Sequence, residues 1–342
     1  MTTAPPGHVA PMPVAKGMSR RTALSSIAGT LAGITVTGRA QTGTDWPNQA
    51  VRYINLFPPG GATDTLSRIY CAKMSEIAGQ QFVVENRSGS GGVVGTDVIA
   101  KSRPDGYTIG LSSIASQSIA PTLYANLPYN AARDFTYVSG LWQLPNLVVI
   151  NNDLPVRTVP ELIALLKANP GKYAYGSSGA GTTPHLSGEL LKQMAGLDVL
   201  HVPYRGGAPA LLDLIGGRVH LIMDNMPGLL PSARDGRVRA LAVTSPQRSP
   251  VVPDLPTMAE FLPGFEMTSW GAVCGPAGLP QPVVERLSAF SKRALENSDL
   301  VRGYQELGAT PWWTTPEQLT AFRAHEEARL APVIRASGAR VE

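Results

Sequence analysis

The sequence lacks the residue patterns of a metal or redox site. Only two cysteines occur in 342 residues, Cys71 and Cys274, and they form no Cys-x-x-Cys pair. The five histidines show no His-x-x-x-His or Glu-x-x-His spacing. We therefore expect no metal and no cofactor, while a disulfide between the two cysteines stays open.

The chain also has little charge, and acid is missing from its first 40 residues. Charged residues make up 16% of the sequence, and the net charge is +4. Residues 1–40 hold four basic residues, and removing these leaves 25 basic and 25 acidic residues in the remainder. The body of the protein is therefore neutral, which gives no case for a nucleic-acid partner.

Residues 1–40 have the layout of an export signal. Adjacent arginines, Arg20 and Arg21, precede a weakly apolar run over 23–36 that is too short and too polar to span a membrane. Small residues around Ala40 predict signal cleavage there, and hence a periplasmic protein. The arginine pair favours a twin-arginine signal. Because Ala23 stands where an aromatic residue is usual, Sec export is an alternative, and a disordered basic tail is another.

From Trp46 onward, short apolar runs alternate with helical periodicity. This alternation predicts an α/β fold with mostly parallel sheets covered by helices. We expect strands over 51–57, 81–86, 107–111, 173–177, 200–203, 219–223 and 239–244, with a short one near Trp312, and helices over 63–78, 92–101, 160–168, 184–195, 209–215, 227–234, 282–296 and 316–335.

The length of the chain and its hydrophobic content of 43% suffice for two domains. Two extended runs, through 146–150 and 269–273, are candidates for crossings between them. If both cross, residues 45–146 and 270–342 form lobe 1, and residues 147–269 form lobe 2. Two α/β lobes joined by a two-strand hinge leave a cleft, which is a common place to enclose a small ligand.

The stretch from Ile54 to Thr65 is a strand that ends in Pro58-Pro59, followed by Gly60-Gly61 and a helix start. We call residues 57–61 the first glycine loop. Proline stops the strand and glycine exposes backbone, so the loop and the helix N-terminus can present N–H groups to a small anion. Thr63 or Asp64 is expected to cap the helix. An ordinary strand-to-helix turn is the alternative.

A similar layout recurs from Tyr175 to His185, and we call residues 178–182 the second glycine loop. Thr182 and Thr183 are candidate donors to an anion, with Thr183 also expected as the helix cap. Ser178 resembles a hydrolase nucleophile, but Ala180 replaces the last glycine of that motif and His185 falls inside the helix. We therefore expect no enzyme and no catalytic residue, and keep a hydrolase using Ser178 as the weaker alternative.

Other strand ends carry polar residues. Asp224 and Asn225 end an apolar strand at the edge where α/β sheets bind ligands. Asp224 is equally able to hold an amine, a hydroxyl or a water and to cap the next helix. Arg205, after Tyr204, is suited to a carboxylate or to solvent. The glycines of 89–95 have the wrong spacing for a dinucleotide site and predict a closely packed turn.

Several short motifs occur in one order along the chain, from Trp46 to the C-terminus, and together they are specific. They are Trp46-Pro47, Phe57-Pro58-Pro59-Gly60-Gly61-Ala62-Thr63-Asp64, Val84-Glu85-Asn86-Arg87-Ser88-Gly89-Ser90-Gly91-Gly92, Pro104-Asp105-Gly106-Tyr107-Thr108, His201-Val202-Pro203-Tyr204-Arg205-Gly206 and Asp224-Asn225. This order resembles the substrate receptors of tripartite tricarboxylate transporters, the Bug family.

The resemblance implies a periplasmic solute-binding protein of the type II fold, whose two lobes close on a mono- or dicarboxylate. It also implies membrane permease subunits as partners, although a ligand sensor for a signalling partner has the same fold. Arg205 stands where lysine is frequent, and Asn55 where an aliphatic residue is usual. The ligand-binding residues it implies are Phe57, Gly60, Gly61, Ala62, Asp64, Ser177, Thr182, Thr183, His185, Tyr204, Asp224 and Asn225.

Overall fold

The protein was analysed as a computed structural model, which describes residue 2 and residues 46–341. The expected export signal and its cleavage near Ala40 lie outside these residues. Within them, no helix combines the length and the apolar character needed to cross a bilayer.

The described residues alternate strands and helices as the sequence predicts. The strands are β1 (Val51–Asn55), β2 (Phe82–Asn86), β3 (Thr108–Ser113), β4 (Phe135–Ile150), β5 (Ala174–Ser177), β6 (Leu200–Pro203), β7 (Leu221–Asn225), β8 (Arg239–Val243), β9 (Thr268–Pro276) and β10 (Thr310–Pro311). The α-helices are α1 (Ala62–Ala78), α2 (Val93–Ala100), α3 (Ala120–Leu123), α4 (Val159–Ala168), α5 (Thr183–Ala195), α6 (Gly207–Ile215), α7 (Met226–Arg234), α8 (Gln281–Leu295), α9 (Ser298–Glu306) and α10 (Pro316–Ala336).

The strands form one mixed sheet in the order β2-β1-β3-β9-β4-β7-β5-β6, with β8 and β10 paired to β4. The α/β class is confirmed. The pairs β1–β2, β1–β3, β5–β6 and β5–β7 are parallel, as expected. All pairings of β4 and β9 are antiparallel, so the sheet is less uniformly parallel than the alternation suggests. These two long strands contain both extended runs.

One strand end was predicted wrongly, and some helical elements were missed. β1 ends at Asn55, not Phe57, because the buried Asn55 amide donates to the Phe57 carbonyl and holds the chain in a turn. Helix α9 was missed, although Asn297 caps it by accepting from the N–H groups of Asp299 and Leu300. A wide π-helical turn over Ala115–Ile119 was also missed, and its residues are all buried.

The buried side chains fall into three clusters. The first joins residues of β1, β3, α1 and α8 with the first half of β4 and most of β9. The second and third lie on residues 147–265, on the two faces of β5, β7 and the end of β4. The lobe boundaries proposed from the sequence remain a prediction. Cys71 and Cys274 are both buried and free, so they form no disulfide.

Candidate ligand-binding site

The first and second glycine loops border one interior cavity. The space open to the centres of water molecules is about 50 Å³, and one buried water needs roughly 10–15 Å³. The cavity is thus large enough for several waters or a small ligand. Its lining residues are Phe57, Pro58, Gly61, Ala62, Thr63, Leu111, Ser113, Ile114, Ala115, Trp142, Ser178, Thr182, Thr183, Pro184, Gly207, Ala208, Asp224, Asn225, Gly228, Leu229, Ser269, Trp270 and Gly271.

Four helices begin at this cavity. The first residues of α1, α5 and α6, and Gly228 in the first turn of α7, all line it. The first N–H groups of a helix have no intrahelical acceptor, and the aligned peptide dipoles place partial positive charge there. A small anion in the cavity would therefore meet favourable potential from several directions.

Helix α1 differs from the other three in its first turn. Proline occupies one of the first three positions of α5 (Pro184), α6 (Pro209) and α7 (Pro227), and each proline removes one N–H. Helix α1 begins Ala62-Thr63-Asp64 and keeps all three. It therefore carries the fullest set of backbone donors.

The walls of the cavity carry no basic side chain among the described lining residues. Most of the remaining surface is apolar, with Leu111 and Ile114 on one side and the indoles of Trp142 and Trp270 on β4 and β9. Attraction for an anion must then come from backbone and hydroxyl groups. Such fixed dipoles in a largely dry site act more strongly than they would in water.

The first glycine loop is stabilised by Asp64. The N-cap of α1 is Gly61, without a side-chain cap, so the prediction of Thr63 or Asp64 as cap was wrong. Asp64 instead accepts hydrogen bonds from the Gly60 N–H (3.0 Å), Asn86 Nδ2 (2.8 Å) and Arg68 Nε (3.0 Å). Burial opposes ionisation of Asp64, but the bonds from Arg68, Gly60 and Asn86 prevail and lower its pKa. Gly60 and Asp64 hold the loop in shape and do not line the cavity.

Hydrogen bonds within the protein stabilise the second glycine loop. The N-cap of α5 is Thr182 rather than the expected Thr183, and it makes no side-chain cap. Thr182 Oγ1 donates to the Gly179 carbonyl at 2.7 Å, so its proton is already used. Thr183 Oγ1 lies 3.5 Å from Asn146 Oδ1. The expected hydroxyl donors are thus engaged within the protein, and the N–H groups of Gly179, Gly181 and Thr182 also donate to protein acceptors.

A stack of three rings lies behind this loop. Tyr175 packs on His201 with ring centroids 4.7 Å apart, and His201 packs on His185 at 4.3 Å. His201 Nε2 lies 2.7 Å from Ser177 Oγ, and His185 Nδ1 accepts from the Gly181 N–H at 3.2 Å. Burial lowers the pKa of His185 and, with the nearby His185, lowers that of His201 to about 4. Both rings are neutral at pH 7, and they position the loop.

Asp224 is buried at the end of β7 and lines the cavity. Its Oδ1 accepts from the Asn225 N–H at 2.6 Å and from Ser178 Oγ at 3.3 Å. Its Oδ2 is buried without a hydrogen-bond partner. Burial raises the Asp224 pKa to about 6, against smaller opposing effects of the two bonds. Asp224 does not cap α7, whose N-cap is Asn225.

Seven of the twelve residues implied by the resemblance line the cavity, and five do not. Phe57, Gly61, Ala62, Thr182, Thr183, Asp224 and Asn225 line it. Gly60, Asp64, Ser177, His185 and Tyr204 support the loops instead, with the Tyr204 hydroxyl donating to Asp213.

Sequence reasoning missed most of the apolar wall and one polar group. Leu111, Ile114, Trp142 and Trp270 line the cavity from strands and a turn that carry no ligand-binding motif. The hydroxyl of Thr63, considered only as a cap, is buried in the cavity wall without a partner. The position of Thr63 directly after Gly61-Ala62 was the sequence feature that could have identified it as a cavity residue.

The two sides of the cavity touch at its rim. A Cβ built on Gly91 would lie 2.5 Å from the Ala180 carbonyl oxygen, and one on Gly206 would lie 2.7 Å from Pro58 Cδ. The turn at 90–92 therefore packs on the second glycine loop, and the first glycine loop packs on the start of α6. Only glycine allows these approaches.

Ser178 lacks the partners of a catalytic serine. Its hydroxyl donates to Asp224, and no histidine within the described residues hydrogen-bonds to it. Nucleophilic serines need a base within hydrogen-bond reach. The histidine that does contact a serine, His201, contacts the buried Ser177.

The mixed α/β sheet and the interior cavity at several helix N-termini are features of a ligand-binding protein. The model of the tripartite tricarboxylate transporter family receptor, TctC, matches residues 66–339, and the chain belongs to this family. The resemblance seen in the sequence is thereby confirmed.

Three known proteins show the extent of the similarity. The protein BugT of Bordetella pertussis is 37% identical over 95% of this chain and 99% of its own. The structure of Rpa4515 of R. palustris with adipate is 38% identical, covers 87% of this chain and 100% of its own, and has a TM-score of 0.85. MatC (Rpa3494) of Rhodopseudomonas palustris with bound malate is 31% identical, covers 84% and 100%, and has a TM-score of 0.80.

Proposed function

We propose that this protein is a periplasmic receptor that binds a small organic carboxylate in the interior cavity and delivers it to the membrane permease of a tripartite tricarboxylate-type transporter. The observation that carries the proposal is the meeting of four helix N-termini at a cavity without basic side chains. Helix N-termini are suited to carboxylates because their N–H groups and dipoles favour negative charge.

The amides at the start of α1 are the main carboxylate donors in this proposal. They are the amides of Gly61, Ala62 and Thr63, and the Gly60 amide is not among them because it donates to Asp64. The Thr63 hydroxyl adds a donor, and the N-termini of α5 and α6, at Thr183 and at Gly207 and Ala208, face the ligand from the opposite side. Hydrogen bonds to a charged group contribute roughly 1.5–3 kcal/mol each, against about 1 kcal/mol for a neutral pair.

Binding closes lobe 1 on lobe 2 in this proposal, with β4 and β9 as the hinge. The two donor sets belong to different lobes, so only the closed arrangement satisfies both ends of the ligand. The close contacts of Gly91 with Ala180 and of Gly206 with Pro58 support a closed state. Closure then creates a surface that a permease recognises.

The carboxylate class is supported by the relatives, since one neighbour is described with adipate and another with malate. Calorimetric titration of the purified protein with mono- and dicarboxylates, including these two, tests the proposal. The corresponding uncharged amides serve as controls. We expect saturable binding of at least one acid and none of its amide. Absence of heat and of thermal stabilisation across the panel would contradict the proposal.

A further inference from the structure

Asp224 places an unused carboxylate oxygen in the cavity wall. The residue is only 5% exposed, and its Oδ1 accepts from the Asn225 N–H and the Ser178 hydroxyl. Its Oδ2 has no partner. A Cβ built on Gly207 would lie 2.6 Å from Oδ2, so glycine is required there to leave room for this oxygen. A buried polar atom without a partner is energetically unfavourable, and a ligand that hydrogen-bonds to it removes that cost.

No cation within the described residues is paired with Asp224. Strand β4 opposes it with Leu147. On α5, Lys192 is paired with Glu189, and His185 accepts from Gly181.

The other elements around the cavity give the same result. On α1, Arg68 is paired with Asp64, and on α7, Arg234 donates to the Glu306 carbonyl. On α6, Asp213 bonds Tyr204 and Arg218, and on β6, His201 contacts Ser177. No cationic side chain of the described residues is therefore paired with an ionised Asp224.

An ionised Asp224 would repel a carboxylate bound in so small a cavity, because like charges at short range disfavour ionisation of both. A protonated Asp224 would instead donate a hydrogen bond. We propose that Asp224 is protonated when the ligand is bound and that its Oδ2–H donates a hydrogen bond to a ligand carboxylate oxygen. This inference rests on the proposed carboxylate-binding function. Each binding event above neutral pH then takes up one proton from solvent.

This coupling predicts how affinity changes with pH. Burial raises the pKa of Asp224 in the free protein to about 6, so the protonated fraction falls as pH rises from 6.5 to 8.5. The apparent dissociation constant is the intrinsic value divided by that fraction, which gives roughly 80-fold weaker binding at pH 8.5 than at pH 6.5. Small carboxylates stay ionised over this range.

Asp224→Asn separates the two protonation states. The Asn225 N–H and the Ser178 hydroxyl require an acceptor, so the amide oxygen takes the place of Oδ1 and the NH₂ group faces the cavity. The variant thus imitates protonated Asp224. We expect it to bind roughly fourfold more tightly than wild type at pH 6.5, where only about a quarter of wild-type Asp224 is protonated, to lose the pH dependence and to take up no proton. Asp235→Asn, at the exposed far end of α7, is the matched control and is expected to behave as wild type.

The measurement is calorimetry with adipate and malate at pH 6.5, 7.5 and 8.5, in buffers of different ionisation enthalpy. Uptake of one proton by the wild-type protein supports the inference, and this reading needs no variant. Binding to wild type without proton uptake refutes it and leaves the proposed function intact. Loss of binding by a folded Asp224→Asn at every pH also refutes it, because Asp224 would then act as an ionised acceptor. If no acid of the panel binds wild type, both proposals fail.

Discussion

Replacing Ala62 with proline tests whether the amides of α1 hold the ligand. Ala62 is the first residue of α1, a position where proline is well tolerated because its missing N–H has no intrahelical partner. Gly61 before it is extended, with φ −83° and ψ 173°, which is the conformation that a following proline requires. The substitution removes the N–H of a residue that lines the cavity while keeping the helix.

The expected effect follows from the kind of bond removed. One hydrogen bond to a charged carboxylate contributes roughly 1.5–3 kcal/mol, which corresponds to a roughly 10- to 150-fold loss of affinity. Stability should change by less than about 1 kcal/mol, since the fixed φ of proline suits this position. A loss of affinity without a loss of stability is therefore the expected result.

Calorimetry measures the affinity of Ala62→Pro, and urea unfolding measures its stability. Ser298→Pro is the matched control, because Ser298 is the exposed first residue of α9 and follows an extended Asn297. It should leave affinity unchanged. If folded Ala62→Pro binds with wild-type affinity, the α1 amides are not ligand donors and the reasoning is wrong.

Two further predictions concern the rim and the ring stack. Gly91→Ala should lower stability and ligand affinity, because its Cβ would lie 2.5 Å from the Ala180 carbonyl oxygen. The control is Gly79→Ala, since Gly79 has a similar left-handed φ of 69° but open space around it. This control should cost only about 1–2 kcal/mol of stability and leave affinity unchanged in the same assays. Equal affinities for both variants would contradict the rim contact. His201, whose pKa is lowered to about 4, binds fewer protons when folded than when unfolded, so its contribution to stability should fall as pH drops from 6.5 to 4. His201→Phe, which preserves a stacked ring, should lose less stability than wild type between pH 7 and pH 4.5 in urea unfolding, and an equal loss would be evidence against this assignment.

Most elements of the fold follow from local patterns in the sequence. Alternating apolar runs locate the strands, and caps such as Thr158 with Glu161 locate helix starts. The antiparallel pairing of β4 and β9 with their neighbours does not follow, because strand direction in a sheet depends on distant partners. Helix α9 was missed because its nine residues contain only three apolar side chains, Leu300, Val301 and Tyr304, whereas the equally long α6 is mostly apolar.

For the site, the sequence by itself determined where the backbone lacks side chains. The glycines after Pro58-Pro59 and after Ser178 must lie in loops that lead into helices. Only the tertiary structure decided which polar atoms remain free. Asp64 and Asp224 both lie at strand-to-helix junctions. Both carboxylate oxygens of Asp64 accept hydrogen bonds, whereas Asp224 Oδ2 has no hydrogen-bond partner. Gly60 and Arg68 are close to Asp64 in the chain, but Asn86 reaches it from β2, whereas no group of the described residues hydrogen-bonds to Asp224 Oδ2. Such pairings depend on packing between distant segments, which local sequence does not encode.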